Sequence, residues 1–476
     1  AVVLPHRTAI GGDVFALVHD ARAREVRAFN GSGAAPRSVD VASFAGAFPH
    51  RGVALATVPG CVAAWADLLA EHGRLGLDRA LAPAIAYAED GFPVSDVLAA
   101  AFTGEAERLE GDPECARVYL PRGRRPRAGE ILQQPDLAAS LRAIARDGAA
   151  AFYQGELAER IARGIAERGG QLGADDLAAH HTDRPRPLSV EYGGLTVFGQ
   201  PPVSQGHVLL EELAIAAGLR LREQTWAGAE LVHLMVETKK LAFADREAYA
   251  GDPRATSFDP SRLLDPGYAA ARRRQIGQRA ADRAEAGALA SAAHTTYLAA
   301  VDRDGNAVSL IESVFSAFGA ATIVPGTGIL LNDRLSGFSL DPASPNALAS
   351  GKRPVHTLNT VIALEGSTPR FVFGTPGRHA QVQTNFQLAV GLIDFGLDVQ
   401  EAIEHPRWFH QAGRTVQMES RFPEPVRRAL AGKGHEIALL PDWSETTGGA
   451  QAIAIDANGV FAGGADPRRE GHAAGY

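Results

Sequence analysis

Thr295 stands where an Ala/Gly/Arg-rich stretch, residues 272–294, gives way to the apolar run Tyr297 to Val301. A threonine at such a boundary suits one kind of chemistry. Its hydroxyl is a weak nucleophile until a base sits beside it, and a free α-amine on the same residue, with an unperturbed pKa near about 8, supplies that base. An internal threonine has no free amine, so the His294–Thr295 bond must break first: the hydroxyl attacks the His294 carbonyl, and water hydrolyses the resulting ester. Taken alone, Thr295-Thr296 ahead of a strand is also ordinary β-propensity.

Two further segments carry groups such a reaction needs. Gly374-Thr375-Pro376-Gly377-Arg378 is a Gly-rich turn between an apolar strand and a helix. Successive backbone N–H groups at such a turn point at an oxygen that becomes negative in a tetrahedral intermediate, although most turns of this composition have no such duty. Lys352-Arg353-Pro354-Val355-His356-Thr357-Leu358-Asn359 gathers polar donors just before a strand, and His356, Thr357 and Asn359 are candidates for holding substrate. A capped loop would have the same composition. Cys61 and Cys115 are the two cysteines and lack metal-ligand spacing, so no disulfide framework, zinc site or cofactor is called for.

At 476 residues the chain exceeds one typical core, which predicts two or three folding units or one large layered α/β body. Hydrophobic residues make up 46% and charged residues 21%, ordinary for a soluble globular protein. The net charge is -8 and no basic patch is interleaved with aromatics, so nucleic acid is not an expected partner. No run approaches the roughly 18 apolar residues of a membrane helix, and no secretory signal opens the chain, so no membrane association is expected. The start at Ala1-Val2-Val3-Leu4, without Met, predicts that sequence is missing upstream. The compartment stays open, with the cytoplasm favoured over the periplasm.

The elements that must position these groups follow from periodicity. Val14 to Val18 reads as a buried strand entered through Gly11-Gly12. Val62 to Glu71, Leu81 to Asp90 with Pro83 inside it, Leu137 to Asp147 and Gly155 to Arg168 read as amphipathic helices, and Leu209 to Ala250 returns to long helical periodicity. Arg272-Arg273-Arg274 opens what reads as an exposed, mobile linker over 272–294. Beyond it come short strands: Tyr297 to Val301, Val308 to Val314, Ala321 to Val324, Ile329 to Leu331, Thr360 to Leu364, Phe371 to Phe373 and Ala452 to Ile455. Asp302-Arg303-Asp304-Gly305-Asn306 is a hairpin turn between the first two, and the helices Gln383 to Ile393 and Val399 to His405 lie among the later ones.

In order and spacing these blocks resemble the γ-glutamyltranspeptidases, members of the N-terminal-nucleophile hydrolase superfamily. His294-Thr295-Thr296-Tyr297 is similar to the Thr-Thr signature that opens the family's small subunit. Gly328-Ile329-Leu330-Leu331-Asn332-Asp333, Gly351-Lys352-Arg353-Pro354, Gly374-Thr375-Pro376-Gly377 and the ending Ala465-Asp466-Pro467-Arg468 look like its later landmarks. Upstream, Val58-Pro59-Gly60, Glu89-Asp90-Gly91-Phe92 and Pro201-Pro202 resemble large-subunit landmarks, so the resemblance covers nearly the whole chain. It implies a four-layer αββα sandwich of the α/β (α+β) class, shared by a large subunit, 1–294, and a small catalytic subunit, 295–476. A homodimer of processed units is among the assemblies it allows. It also implies roles. Thr295 matches the nucleophile, and Ser313 a hydroxyl beside it. Gly377 and Arg378 match the pair of oxyanion-hole positions, where the second is normally Gly. His356 and Thr357 stand at two serines that hold the substrate carboxylate.

The departures bear on substrate. Where the family has an arginine for the γ-glutamyl α-carboxylate this chain has Asn30, and Gly337 stands at its aspartate for the α-ammonium. Phe315 replaces an asparagine and Arg334 a glutamine. Losing both ion-pair partners removes the contacts that select an α-amino acid head group. The stretch from Phe338 to Lys352 is shorter than in lid-bearing members, which implies a more open pocket and hydrolysis rather than transfer. The reading is therefore a self-cleaving amidohydrolase for a small carboxylate-bearing amide, in the manner of oxamate amidohydrolase-like or acylase members. Arg334, His356 and Arg378 are expected to supply donors to that carboxylate. A genuine γ-glutamyltransferase or glutathione hydrolase, and a catalytically inactive homologue used for binding, are the alternatives.

Overall fold

The computed structural model describes residues 1–282 and 294–476. In chain order its principal strands are β1 (Asp13–Asp20), β2 (Glu25–Gly31), β3 (Leu188–Tyr192), β4 (Leu195–Gly199), β5 (His294–Val301), β6 (Ala307–Phe315), β7 (Val361–Glu365), β8 (Thr368–Gly374), β9 (Gln451–Ile455) and β10 (Phe461–Ala465). They form two antiparallel sheets. One has the order β2-β1-β6-β5 and the other β10-β9-β8-β7-β4-β3. Each sheet draws strands from both sides of Thr295, so the two halves of the chain share one core.

Side-chain alternation explains the layering. Strand β1 sends Phe15 and Leu17 between the sheets, where Leu17 meets Ile362, Leu364 and Val372. Val14, Ala16 and Val18 point the other way, toward helix α1 (Cys61–His72). Both faces of the strand are covered, which is why it reads as a continuous apolar run. Helices α2 (Leu77–Glu89), α3 (Pro135–Asp147) and α4 (Glu156–Ala166) complete the layer on that side. On the far side α5 (Gly206–Ala216), α6 (Ala229–Tyr249), α7 (Pro266–Arg273) and α8 (Ala380–Ala389) cover the larger sheet, giving the expected αββα sandwich.

The structure corrects two expectations. The helical stretch from Leu209 to Ala250 is two helices, α5 and α6, divided by a turn in which Arg220 and Ala227 take φ of 51° and 53°. The linker does not begin at 272, because Arg272 and Arg273 end α7. Arg272 pairs with Asp245 at 2.8 Å, and Arg273 donates to the carbonyls of Ala214 and Ile215. Ala280 N–H donates to Lys433 O at 2.8 Å, so the segment up to residue 281 is bound to the body. Buried polar side chains of α6 hold it, a signal that composition does not carry. The remainder of the expected linker, 283–293, lies outside the described residues.

Candidate active site

Strand β5 carries Thr295 into the sandwich at one edge of its sheet. Its partner β6 places Ser313 next to it, and the Thr295 hydroxyl donates to Ser313 Oγ at 3.2 Å, with both residues buried. Ser313 Oγ also accepts the Phe315 N–H at 2.8 Å, which fixes the hydroxyl in place. The pairing register slips between His294 and Thr296, so the ladder is irregular at the expected scissile bond. A cavity of about 310 Å³ opens beside Thr295, bounded by Arg7, Pro376, Gln451, Arg469 and the 470–474 segment.

The Gly374–Arg378 turn leads from β8 toward α8. A Cβ at Gly374 would collide with the Tyr297 ring, so the missing side chain lets β8 pass close over β5. Gly377 has φ of 136° and Arg378 φ of 50°. Among the described residues neither of their backbone N–H groups donates to a protein acceptor. Thr375 Oγ1 accepts the Gly449 N–H at 2.9 Å and so ties the turn to the chain entering β9.

Around Phe315, which has φ of 81°, the charged groups gather. The guanidinium carbons of Arg334 and Arg378 lie 4.4 and 4.2 Å from its ring centre. Arg334 donates from Nε to Asp13 at 3.0 Å, while its Nη1 and Nη2 are buried without a hydrogen-bond partner. Arg378 donates from Nη2 to Ser316 Oγ at 2.7 Å. Burial lowers its pKa to about 10, with Asp333 acting against that, so it stays protonated at neutral pH. His356 is fully buried, with its ring edge-on to Phe15 and neither ring nitrogen partnered. Burial first, then the charges of Arg334 and Arg353, push its pKa well below the ordinary value. It is therefore neutral, and brings one donor and one acceptor rather than donors alone.

Other expected site residues are engaged in the framework. Asn30 Oδ1 accepts both the N–H and the hydroxyl of Ser32, and its backbone bridges to Asp183. Asn359 belongs to a buried amide chain, accepting from Asn385 at 2.7 Å and donating to Gln381 at 3.4 Å. Thr357 is buried, and its carbonyl takes a hydrogen bond from Gln205. Gly337 leaves no side chain to meet an ammonium group, and its carbonyl accepts from Asn346. Thr295, Ser313, Arg334 and Arg378 are thus linked through Phe315 and its neighbours, whereas the side chains of Asn30 and Asn359 make hydrogen bonds within the framework. Sequence reasoning missed Asp13, the counter-ion of Arg334. An acid directly after Gly11-Gly12 at the head of a buried strand was the available signal.

A four-layer sandwich built by strands from both sides of one threonine is the architecture of N-terminal-nucleophile hydrolases. The gamma-glutamyltranspeptidase family model matches residues 1–476, and the chain belongs to that family of amide-cleaving enzymes. It is 38% identical to the glutathione hydrolase-like YwrD proenzyme of Bacillus subtilis, across 100% of this chain and 91% of that one. It is 37% identical to the oxamate amidohydrolase proenzyme of Klebsiella pneumoniae, across 100% and 92%. Among solved structures, cephalosporin acylase from Bacillus halodurans superposes with a TM-score of 0.94 at 37% identity, covering 100% of this chain and 89% of that one.

Proposed function

We propose that the chain is a precursor that cuts itself before Thr295 into subunits 1–294 and 295–476, and that the freed threonine hydrolyses an amide whose acyl part carries a carboxylate and no α-ammonium. In this reading the Thr295 hydroxyl attacks the amide carbon, the new α-amine takes its proton, and the Gly377 and Arg378 N–H groups receive the oxyanion. Collapse of that tetrahedral intermediate breaks the C–N bond, the leaving amine takes the proton held by the α-amine, and water then hydrolyses the acyl-enzyme ester to free the acid and the threonine. Ser313 holds the nucleophile's rotamer.

The observation that carries the substrate class is the set of orphaned polar atoms: Arg334 Nη1 and Nη2 and both His356 nitrogens, buried and unpartnered. Leaving a buried donor unmatched costs about 1–3 kcal/mol, more when it is charged, so such a cluster, linked to Thr295 through Ser313 and Phe315, favours a ligand there, which the cavity beside Thr295 must open to admit. A carboxylate fits a guanidinium with two free, parallel N–H groups. The non-glycine residues Phe315 and Arg378 both hold left-handed backbone, and strain of that kind concentrates at functional sites.

A glutathione-hydrolase reading is favoured by the similarity to the glutathione hydrolase-like proenzyme of Bacillus subtilis. The engagement of Asn30 with Ser32 and the bare Gly337 oppose it, because no carboxylate stands there for an α-ammonium. The discriminating experiment compares a γ-glutamyl anilide, its glutaryl counterpart and a short oxalyl amide on processed protein. A γ-glutamyl substrate faster by about tenfold or more would overturn the substrate assignment, since each charged contact is worth about 1.5–3 kcal/mol.

A further inference from the structure

Helix α6 carries His233 and Glu237 one turn apart on one face, and His435 approaches them just after the helix Glu424–Gly432. One potential ligand atom from each of the three lies within 4.8 Å of the others, and all three residues are buried. His233 Nε2 faces the Gly277 carbonyl at 2.9 Å. A carbonyl only accepts, so Nε2 bears the proton and Nδ1 presents its lone pair. That lone pair faces His435 Nε2 at 2.8 Å. A backbone carbonyl on the outer nitrogen is the support that metal-bound histidines ordinarily have.

We propose that His233 Nδ1, His435 Nε2 and a Glu237 oxygen bind one zinc ion, with water as fourth ligand. The set of two imidazoles and one carboxylate suits zinc. Tetrahedral zinc holds two nitrogens about 3.3 Å apart, so the His233–His435 gap opens by about half an ångström on binding. The proton that His435 Nε2 donates to His233 passes to His435 Nδ1 as the ion arrives, so that both imidazoles stay neutral.

The opposing group is Lys240, whose ammonium donates to Glu237 Oε1 at 2.7 Å. It also donates to the Ala281 carbonyl at 2.8 Å, and each carboxylate oxygen has a second lone pair, so Glu237 accepts both the ammonium and the ion. A neighbouring positive charge penalises calcium or magnesium, whose binding is electrostatic and oxygen-based, more than zinc, whose bonds to nitrogen are partly covalent. His233 and Glu237 precede Thr295 and His435 follows it. The ion therefore joins the two sides of the cleavage point, a consequence that rests on the proposed processing although the site itself does not.

Chelator-treated full-length protein, titrated with Zn²⁺ against a chromophoric competitor, is expected to take up about one equivalent. His435→Gln and His233→Gln should each weaken uptake by at least about tenfold. Co²⁺ in the wild-type protein should give the intense visible bands of a tetrahedral complex, an arm that needs no variant to fold. No stoichiometric uptake, unchanged uptake in both variants, or a weak octahedral cobalt spectrum would overturn the site. Binding to Thr295→Ala protein tests it independently of cleavage: uptake by uncut chain supports the site even where processing fails.

Discussion

Asp13 accepts a hydrogen bond from Nε of Arg334 at 3.0 Å, and neither side chain has any solvent exposure. The pair fixes the guanidinium with its other two nitrogens unpartnered, which in the proposed site remain for a ligand. Removing one member of a buried pair costs about 3–5 kcal/mol, because the other charge is left uncompensated, whereas removing both costs much less. Asp13→Asn and Arg334→Met should each lower stability in denaturant by that order. The double variant should recover most of it, yet remain at least about tenfold slower on a carboxylate-bearing amide. Recovery of activity along with stability would show that Arg334 only fills space.

Cleavage is read most simply on a gel. Wild-type protein of 50.1 kDa should yield pieces of about 30 and 20 kDa, and Thr295→Ser should do the same more slowly. Thr295→Ala has no hydroxyl to attack and should stay whole. Ser313→Ala loses the 3.2 Å contact and should slow processing by about tenfold, with Ser313→Thr restoring it. Processing of the alanine variant at Thr295 would sink the mechanism.

Arg378 offers a backbone donor and a side-chain charge that a glycine separates. Arg378→Gly keeps the N–H and removes the left-handed strain at φ of 50°. Processing should persist, while kcat/KM for a glutaryl or oxalyl amide drops about tenfold and that for a neutral acyl amide changes little. Equal losses on both substrates would move the role of Arg378 from the side chain to the turn.

Glu212 on α5 gives a pH signature. It is fully buried with neither oxygen partnered, and burial raises its pKa to about 8, with Lys239 acting in the opposite direction. Between its ordinary 4.5 and about 8 the unfolded chain has lost this proton and the native state still holds it. The contribution of Glu212 to native stability therefore falls as pH rises through that window, by up to about 1.4 kcal/mol per pH unit, while buried neutral histidines such as His356 contribute in the opposite sense below their ordinary pKa. Glu212→Gln should remove this contribution, matching wild type near pH 5 and exceeding it by a few kcal/mol near pH 8. Denaturant midpoints of both proteins across that range check it, and a difference between them that does not grow with pH would contradict it.

The fold was legible where periodicity is strong. Val14 to Val18, Val62 to Glu71 and the hairpin through Asp302 to Asn306 stand where the residues predict them. What escaped were elements whose signal comes from elsewhere in the chain. The strand Glu25–Gly31 pairs with β1 through seven register positions but contains Glu25, Arg27 and Asn30, which leave it no apolar run to signal a strand. The sheet of Trp408–Ala412, Thr415–Glu419 and Glu436–Leu440 is short and half exposed. At the site, residue types suggested Thr295 and Arg334, but no local pattern announces that Asp13, 321 positions away, is the partner of Arg334.

Because β1 lies hydrogen-bonded between β2 and β6, and β7 between β4 and β8, a cut before Thr295 turns two intramolecular sheets into intermolecular ones. The order of events then matters. Before the cut, refolding is first order in protein, and afterwards the same strands must find each other by collision. A mature molecule unfolded in denaturant should regain its structure at a rate that falls on dilution, and much of it should be lost to aggregation. With the proposed cut the covalent link is a template used once: its removal leaves the architecture standing but erases the route by which it was built.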